Sequence, residues 1–105
     1  IRGGVNISPE EIDQVLGGHP MLAEACVFAM LDPLLGERIG LAAVPRDGAE
    51  VTLEDVTSFL RQADLAVFKL PERLFRFTAL PRNVTNKVMR SEVREMALTM
   101  MEEEG

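Results

Sequence analysis

Two apolar runs, Glu24 to Leu31 and Arg38 to Val44, stand on either side of Asp32-Pro33-Leu34-Leu35-Gly36. A proline and a glycine in so short a break punctuate a turn, and the flanking runs read as paired antiparallel strands. A sheet of this kind has faces to bury, so the remaining segments are expected to pack on it.

Helix signals lie on both sides of the hairpin. In Ser8-Pro9-Glu10-Glu11, Ser8 is placed to accept from the amide of Glu11, Glu11 to reach back, and Pro9 to occupy the first helical position. Ile7 and Ile12 have the spacing of a hydrophobic staple. Ile12, Val15 and Leu16 then form one apolar stripe that Gly17-Gly18 ends. Pro45-Arg46-Asp47-Gly48 turns the chain again. Thr52-Leu53-Glu54-Asp55 repeats the capping pattern, with Val51 and Val56 as a second staple, and predicts a helix to about Gln62. Its apolar face is Leu53, Val56, Phe59 and Leu60. Arg73 to Phe77, after Pro71, reads as a third, short strand. From Ser91 onward the chain is helical, with Val93, Met96, Ala97 and Met100 on one side. The acidic end, Glu102-Glu103-Glu104-Gly105, is expected to fray. The predicted class is α+β, a small sheet of about three strands with flanking helices.

The chain has 105 residues, 47% of them hydrophobic, which fits one domain without a second core. Burial at this size is marginal, and docking on a larger domain is in keeping with it. Because the chain opens at Ile1, inside an Arg-Gly-Gly turn, it is expected to be a fragment. A net charge of −6 with dispersed Lys and Arg argues against nucleic acid or anionic lipid as a partner. Apolar runs are too short to span a bilayer, and no signal-like start is present. The single cysteine, Cys26, reads as a small buried hydrophobe, which excludes an intrachain disulfide and fits a reducing cytoplasm.

Few residues are suited to chemistry. His19 is the only histidine, and with one cysteine the chain lacks the usual metal set and a Ser-His-Asp triad; His19-Pro20 reads as a helix-exit turn. Glu10, Glu11 and Asp13 crowd the start of a helix, where capping and the dipole explain them better than acid-base work. Gly3-Gly4 permits positive φ and close approach, yet matches no dinucleotide or phosphate-loop pattern. Lys87 closes the polar, turn-rich stretch Leu80-Pro81-Arg82-Asn83-Val84-Thr85-Asn86. Taken alone, Lys87 reads as a solvated surface amine. In this context, a long side chain ending in a point charge, presented from an exposed loop on a moveable domain, suits stabilisation of an anionic phosphoryl transition state.

Several segments in order resemble the C-terminal domain of the adenylate-forming superfamily of acyl-CoA synthetases, aryl-CoA ligases, peptide-synthetase adenylation domains and luciferases. They are Gly3-Gly4-Val5-Asn6-Ile7-Ser8-Pro9-Glu10-Glu11-Ile12, His19-Pro20 with Ala23-Glu24-Ala25, Asp32 with Gly36-Glu37, Phe68-Lys69-Leu70-Pro71, and Leu80 to Arg90. The resemblance covers nearly the whole chain. It implies the mobile lid of a two-step ligase, whose large N-terminal domain and hinge lie upstream. A carboxylic acid and ATP, with Mg²⁺, give an acyl-adenylate and pyrophosphate; a thiol, CoA by preference, then displaces AMP. ATP and Mg²⁺ are implied to bind mainly on the large domain, which also holds the acid pocket.

By the same resemblance Lys87 is the lysine of the first step, bridging the substrate carboxylate and the α-phosphate. Gly3, Gly4 and Asn6 form the loop that a domain rotation brings to the adenylate for the thioester step. The family usually has glycine directly before the lysine, whereas this chain has Asn86. Asparagine is the next most tolerant residue at positive φ, so the loop geometry is expected to survive. Two alternatives stand beside CoA ligation. One is an aryl-acid adenylating enzyme that loads a carrier-protein phosphopantetheine. The other is a non-catalytic interaction module docking through its acidic surface and an exposed Met100-Met101 end.

Overall fold

A computed structural model describes residues 8–32, 34, 36–63 and 70–104. Helix α1 (Pro9–Leu16) is followed by strands β1 (Leu22–Asp32) and β2 (Gly36–Pro45). Helix α2 (Leu53–Gln62), strand β3 (Arg73–Arg76) and helix α3 (Arg90–Glu104) complete the order. This is the α+β arrangement expected from the sequence.

Both capping boxes form. The Ser8 hydroxyl accepts from the Glu11 amide while the Glu11 carboxylate accepts from the Ser8 amide, and Thr52 and Asp55 do the same for α2. Val51 and Val56 are both buried in one cluster, as a staple requires. The Ile7 half of the other staple lies outside the described residues.

Strands β1 and β2 pair antiparallel from Leu22↔Pro45 to Asp32↔Gly36. Strand β3 lies parallel to β2, giving the order β1-β2-β3. A parallel neighbour needs a crossover, and α2 lies within it.

The core is split by the sheet. On one face Val27, Leu41 and Ala43 pack with Ile12 and Leu16 of α1 and Val56 and Leu60 of α2. On the other face Cys26, Phe28, Ala42, Val44 and Phe75 pack with Phe77, Leu80, and Val93 and Ala97 of α3. The period-2 alternation of a strand produces this division. Leu22 breaks the parity, sitting with Val27 although Cys26 and Phe28 face the other way. A register shift between Leu22 and Glu24 accounts for it: Ala23 is the extra residue, and the bulge re-aims Leu22.

Helix α3 differs from expectation in three respects. Met96 is 42% exposed. The inward side is Val93, Ala97, Met100 and Met101, because the row of contacts follows i+4 steps and carries Met101 inward in place of Met96. The Met100-Met101 end is therefore half-buried against the second cluster, which removes the exposed docking surface suggested for it. Finally, Glu102 to Glu104 continue the helix instead of fraying. Among the described residues no helix is long and apolar enough to cross a membrane.

Candidate functional site

Lys87 stands on a loop built almost entirely from its own polar groups. Leu80, 5% exposed, anchors the entry in the α3-side core. Arg82 and Val88 form an antiparallel bridge, and below it the Met89 amide donates to the Pro81 carbonyl at 2.9 Å. Above it the Asn83 amide donates to the Lys87 carbonyl and the Asn86 amide to the Asn83 carbonyl, each at 2.9 Å.

The Asn83 side chain fills the loop's centre. Its Oδ1 accepts from the Thr85 amide at 2.9 Å, the Thr85 hydroxyl at 2.7 Å and the Lys87 amide at 3.0 Å. Short asparagine side chains bond local backbone in this way, which is why the sequence reads as a turn. Asn86 has φ 68°, and among the described residues it is the one non-glycine with positive φ. The expectation for this position holds: asparagine occupies the left-handed region that glycine would otherwise fill.

The side chain of Lys87 is exposed and pairs with no carboxylate among the described residues. No acceptor of the loop takes the ammonium among the described residues, so it is left available for an anion from outside.

Two arginines fasten the loop to β1. Arg82 donates from Nη1 to the Asn86 carbonyl at 2.9 Å and pairs through Nη2 with the Glu24 carboxylate. Arg90, at the start of α3, donates from Nη1 to the Val27 carbonyl and lies 3.4 Å from Cys26 Sγ; its Nη2 donates to Asp13 Oδ2 at 2.9 Å. Asp13 Oδ1 in turn accepts from the Val27 amide at 2.8 Å. The more distant Glu10 carboxylate is 3.7 Å from Nη2.

Burial raises the Asp13 carboxyl above the usual carboxylate value, against the lowering effects of the Val27 amide and Arg90. Burial alone would lower Arg90; the hydrogen bond and charge of Asp13 outweigh it and hold the guanidinium above its ordinary value. Burial, with the Asp13 charge, pushes the Cys26 thiol up to about 11, so it is an inert apolar neighbour at neutral pH.

Asp13 corrects the sequence reading, which assigned it to helix capping. It is a tertiary ligand of Arg90 and Val27. The local sign was the lack of a cation one turn away on α1, where Leu16 and Gly17 occupy the i+3 and i+4 positions. Glu24, Arg82 and Arg90 were not singled out for a role, because their partners lie 58 to 77 positions away in the chain.

His19 is buried in the turn after α1, where Nδ1 accepts from the Met21 amide at 3.1 Å and the ring tilts against Phe59 at 4.8 Å. Gly3, Gly4 and Asn6 lie outside the described residues. A shallow groove lined by Met30, Arg38, Glu72, Arg73 and Met101 occupies the α3 side of the sheet, with Arg38 paired to Glu72. Among the described residues no three His, Cys, Asp or Glu converge as metal ligands.

Residues 11–87 match the family profile described as the AMP-binding enzyme C-terminal domain. Oxalate–CoA ligase of Arabidopsis thaliana is 42% identical over 89 residues, covering 85% of this chain and 17% of that protein. A 2-succinylbenzoate–CoA ligase of Bacillus cereus is 39% identical over 100 residues, covering 95% of this chain and 20% of its own length. Among solved structures, a double mutant of o-succinylbenzoate CoA synthetase from Bacillus subtilis, bound to a product analogue, superposes with a TM-score of 0.74. It is 34% identical over 88% of this chain and 18% of that one. MbtA of Mycobacterium smegmatis gives 0.76 at 29% identity, over 89% and 18%. The chain thus spans about a fifth of the length of the relatives it matches.

Proposed function

The chain belongs to the AMP-binding enzyme C-terminal domain family, and on that premise we propose that residues 1–105 are the C-terminal lid of an ATP-dependent acid–thiol ligase. Its other part is a larger N-terminal domain of the same protein. The whole enzyme joins a carboxylic acid to ATP, releasing pyrophosphate, and then passes the acyl group from AMP to the thiol of CoA.

The observation that carries this reading is the Lys87 ammonium, exposed and unpaired among the described residues on a loop shaped around the Asn83 side-chain oxygen. A carboxylate attacking a phosphate brings two anions together. A fixed cation between them offsets that repulsion most where charge develops, which is the requirement for a rate effect. Because the ammonium has no partner to leave among the described residues, it enters the reaction centre without breaking an ion pair of its own.

Gly3, Gly4 and Asn6 are assigned to the adenylate and thiol in the second step. CoA is favoured over a carrier-protein pantetheine because the two curated relatives reported above, an oxalate–CoA ligase and a 2-succinylbenzoate–CoA ligase, are named for CoA. ATP and Mg²⁺ are assigned to the N-terminal domain. The single buried cysteine is in keeping with a cytoplasmic setting.

The test is acid-dependent ATP–pyrophosphate exchange by the full-length protein. Lys87→Ala is expected to lower it about 10²- to 10³-fold, the effect of losing one transition-state charge donor. Thioester formation from supplied acyl-adenylate should be retained. Equal loss of both half-reactions, or exchange indifferent to the substitution, defeats the assignment.

A further inference from the structure

We propose that Arg82 and Arg90 are positioning residues for Lys87, fastening the two feet of the lysine loop to strand β1. The inference rests on the role proposed above for Lys87.

The loop's own hydrogen bonds, centred on Asn83 Oδ1, define its shape. They do not define where that shape sits against the sheet. The Lys87 side chain makes no fixing contact among the described residues, so the reach of its ammonium is set by the backbone beneath it. That backbone is held from both sides.

Arg82 connects two things with one rigid plane: the carbonyl of Asn86, adjacent to Lys87, and the carboxylate of Glu24 on β1. A guanidinium fork fixes angle as well as distance, which an ammonium in its place does not. On the far side, Arg90 ties the first turn of α3 to the Val27 carbonyl and to Asp13. Leu80 and Val88 add apolar packing from the same core. The consequence is a lysine carried on a braced platform, so that a movement of the domain is passed to the ammonium without slack. Catalysis is sensitive to such slack, since a misplacement of about 1 Å costs on the order of 10²-fold.

Arg82 is the cleaner test, because its side chain and that of Glu24 are each about one-third exposed and their loss leaves the buried core intact. In the full-length protein, Arg82→Met, Arg82→Lys, Glu24→Gln and the Arg82→Met/Glu24→Gln pair are assayed for both half-reactions and for Tm, with Lys87→Ala alongside. Arg82→Met is expected to lower kcat for ATP–pyrophosphate exchange about 10- to 100-fold with KM for ATP unchanged. Thioester formation from supplied acyl-adenylate should stay within roughly twofold. Arg82→Lys should recover part of the loss, Glu24→Gln should show a smaller loss of the same kind, and the pair should be no worse than Arg82→Met alone.

Wild-type exchange by Arg82→Met overturns the proposal, as does equal loss of both half-reactions in step with a fall in Tm. A raised KM for ATP with Glu24→Gln silent also overturns it, placing Arg82 on the nucleotide itself. Should Arg82→Met fail to fold, Glu24→Gln, which keeps the side-chain shape, decides the matter by the same kcat criterion. The two readings fail separately: collapse of exchange in Lys87→Ala with no effect of Arg82 or Glu24 leaves the lysine assignment standing and removes only the brace. Exchange indifferent to Lys87 removes both.

Discussion

Asp13 and Arg90 close on each other across 77 positions of chain, carboxylate to guanidinium at 2.9 Å, and hold the peptide groups of Val27 between them. Asp13 accepts the Val27 amide and Arg90 donates to the Val27 carbonyl. Strand β1 is an edge of the sheet, so these groups would otherwise face outward as a pairing site for another strand. An ion pair stands where the next strand would be, and it joins α1 to α3 in doing so.

Removing one half of that arrangement should be worse than weakening it. Asp13→Ala leaves the Val27 amide without an acceptor and Arg90 without its nearest carboxylate, at a cost of about 1 to 3 kcal/mol. Asp13→Asn keeps an acceptor for the amide and should cost less. Urea denaturation of both variants checks the order.

Asn86 at φ 68° predicts an inversion of the usual substitution hierarchy. Asn86→Gly should be tolerated with a change of a few tenths of a kcal/mol, whereas Asn86→Val places a branched side chain in the left-handed region at about 1 to 3 kcal/mol. Thermal melts measure the difference, and ATP–pyrophosphate exchange of the full-length protein should fall with Val and persist with Gly.

Gly40 is fixed by crowding. A Cβ there would stand 2.7 Å from two ring carbons of Phe28 and 3.2 Å from Met30 Sδ. Phe28 is itself buried, tilted against Phe75 at 5.7 Å, and has little room to swing aside. Gly40→Ala should therefore destabilise by about 1 to 3 kcal/mol, visible as a lower urea midpoint. Gly40→Ala with Phe28→Leu should recover part of the loss.

Two perturbed aspartates among the described residues, Asp13 and Asp55, predict pH dependences of opposite sign. The Thr52 amide, aided by the Thr52 hydroxyl, holds the Asp55 carboxyl below its ordinary value. Its contribution is present above the unfolded pKa and lost as pH falls through the folded one. Asp13 is raised, so its contribution is fully present below the ordinary carboxylate value and lost as pH rises through its folded pKa. Stability measured in urea from about pH 3 to 6 should thus lose part of its acid-side decline in Asp55→Asn and show a steeper decline in Asp13→Asn.

What could be read from the chain was governed by the distance over which each signal acts. Ser8 with Glu11 and Thr52 with Asp55 are neighbours, so both helix starts were legible to the residue. The hairpin was legible because Gly36 and its flanking runs are contiguous, and Asn86 because positive φ is a property of one residue. Nothing local states that β3 runs parallel to β2, or that Arg82 meets Glu24 and Arg90 meets Asp13. Met96 was misplaced because helical periodicity offers neighbouring rows, and only the sheet beneath α3 selects the row through Val93, Ala97 and Met101.

The split of the core by β2 has a consequence for how substitutions in such a domain combine. Leu41 and Ala42 are adjacent in the chain yet belong to separate interiors, one roofed by α1 and α2 and the other by α3. Side chains in different interiors share no cavity, so a volume lost in one is not refilled from the other. Volume changes in the two interiors are therefore expected to combine nearly additively in their effect on stability. A single small sheet serves as a partition between two compartments that answer to substitution separately.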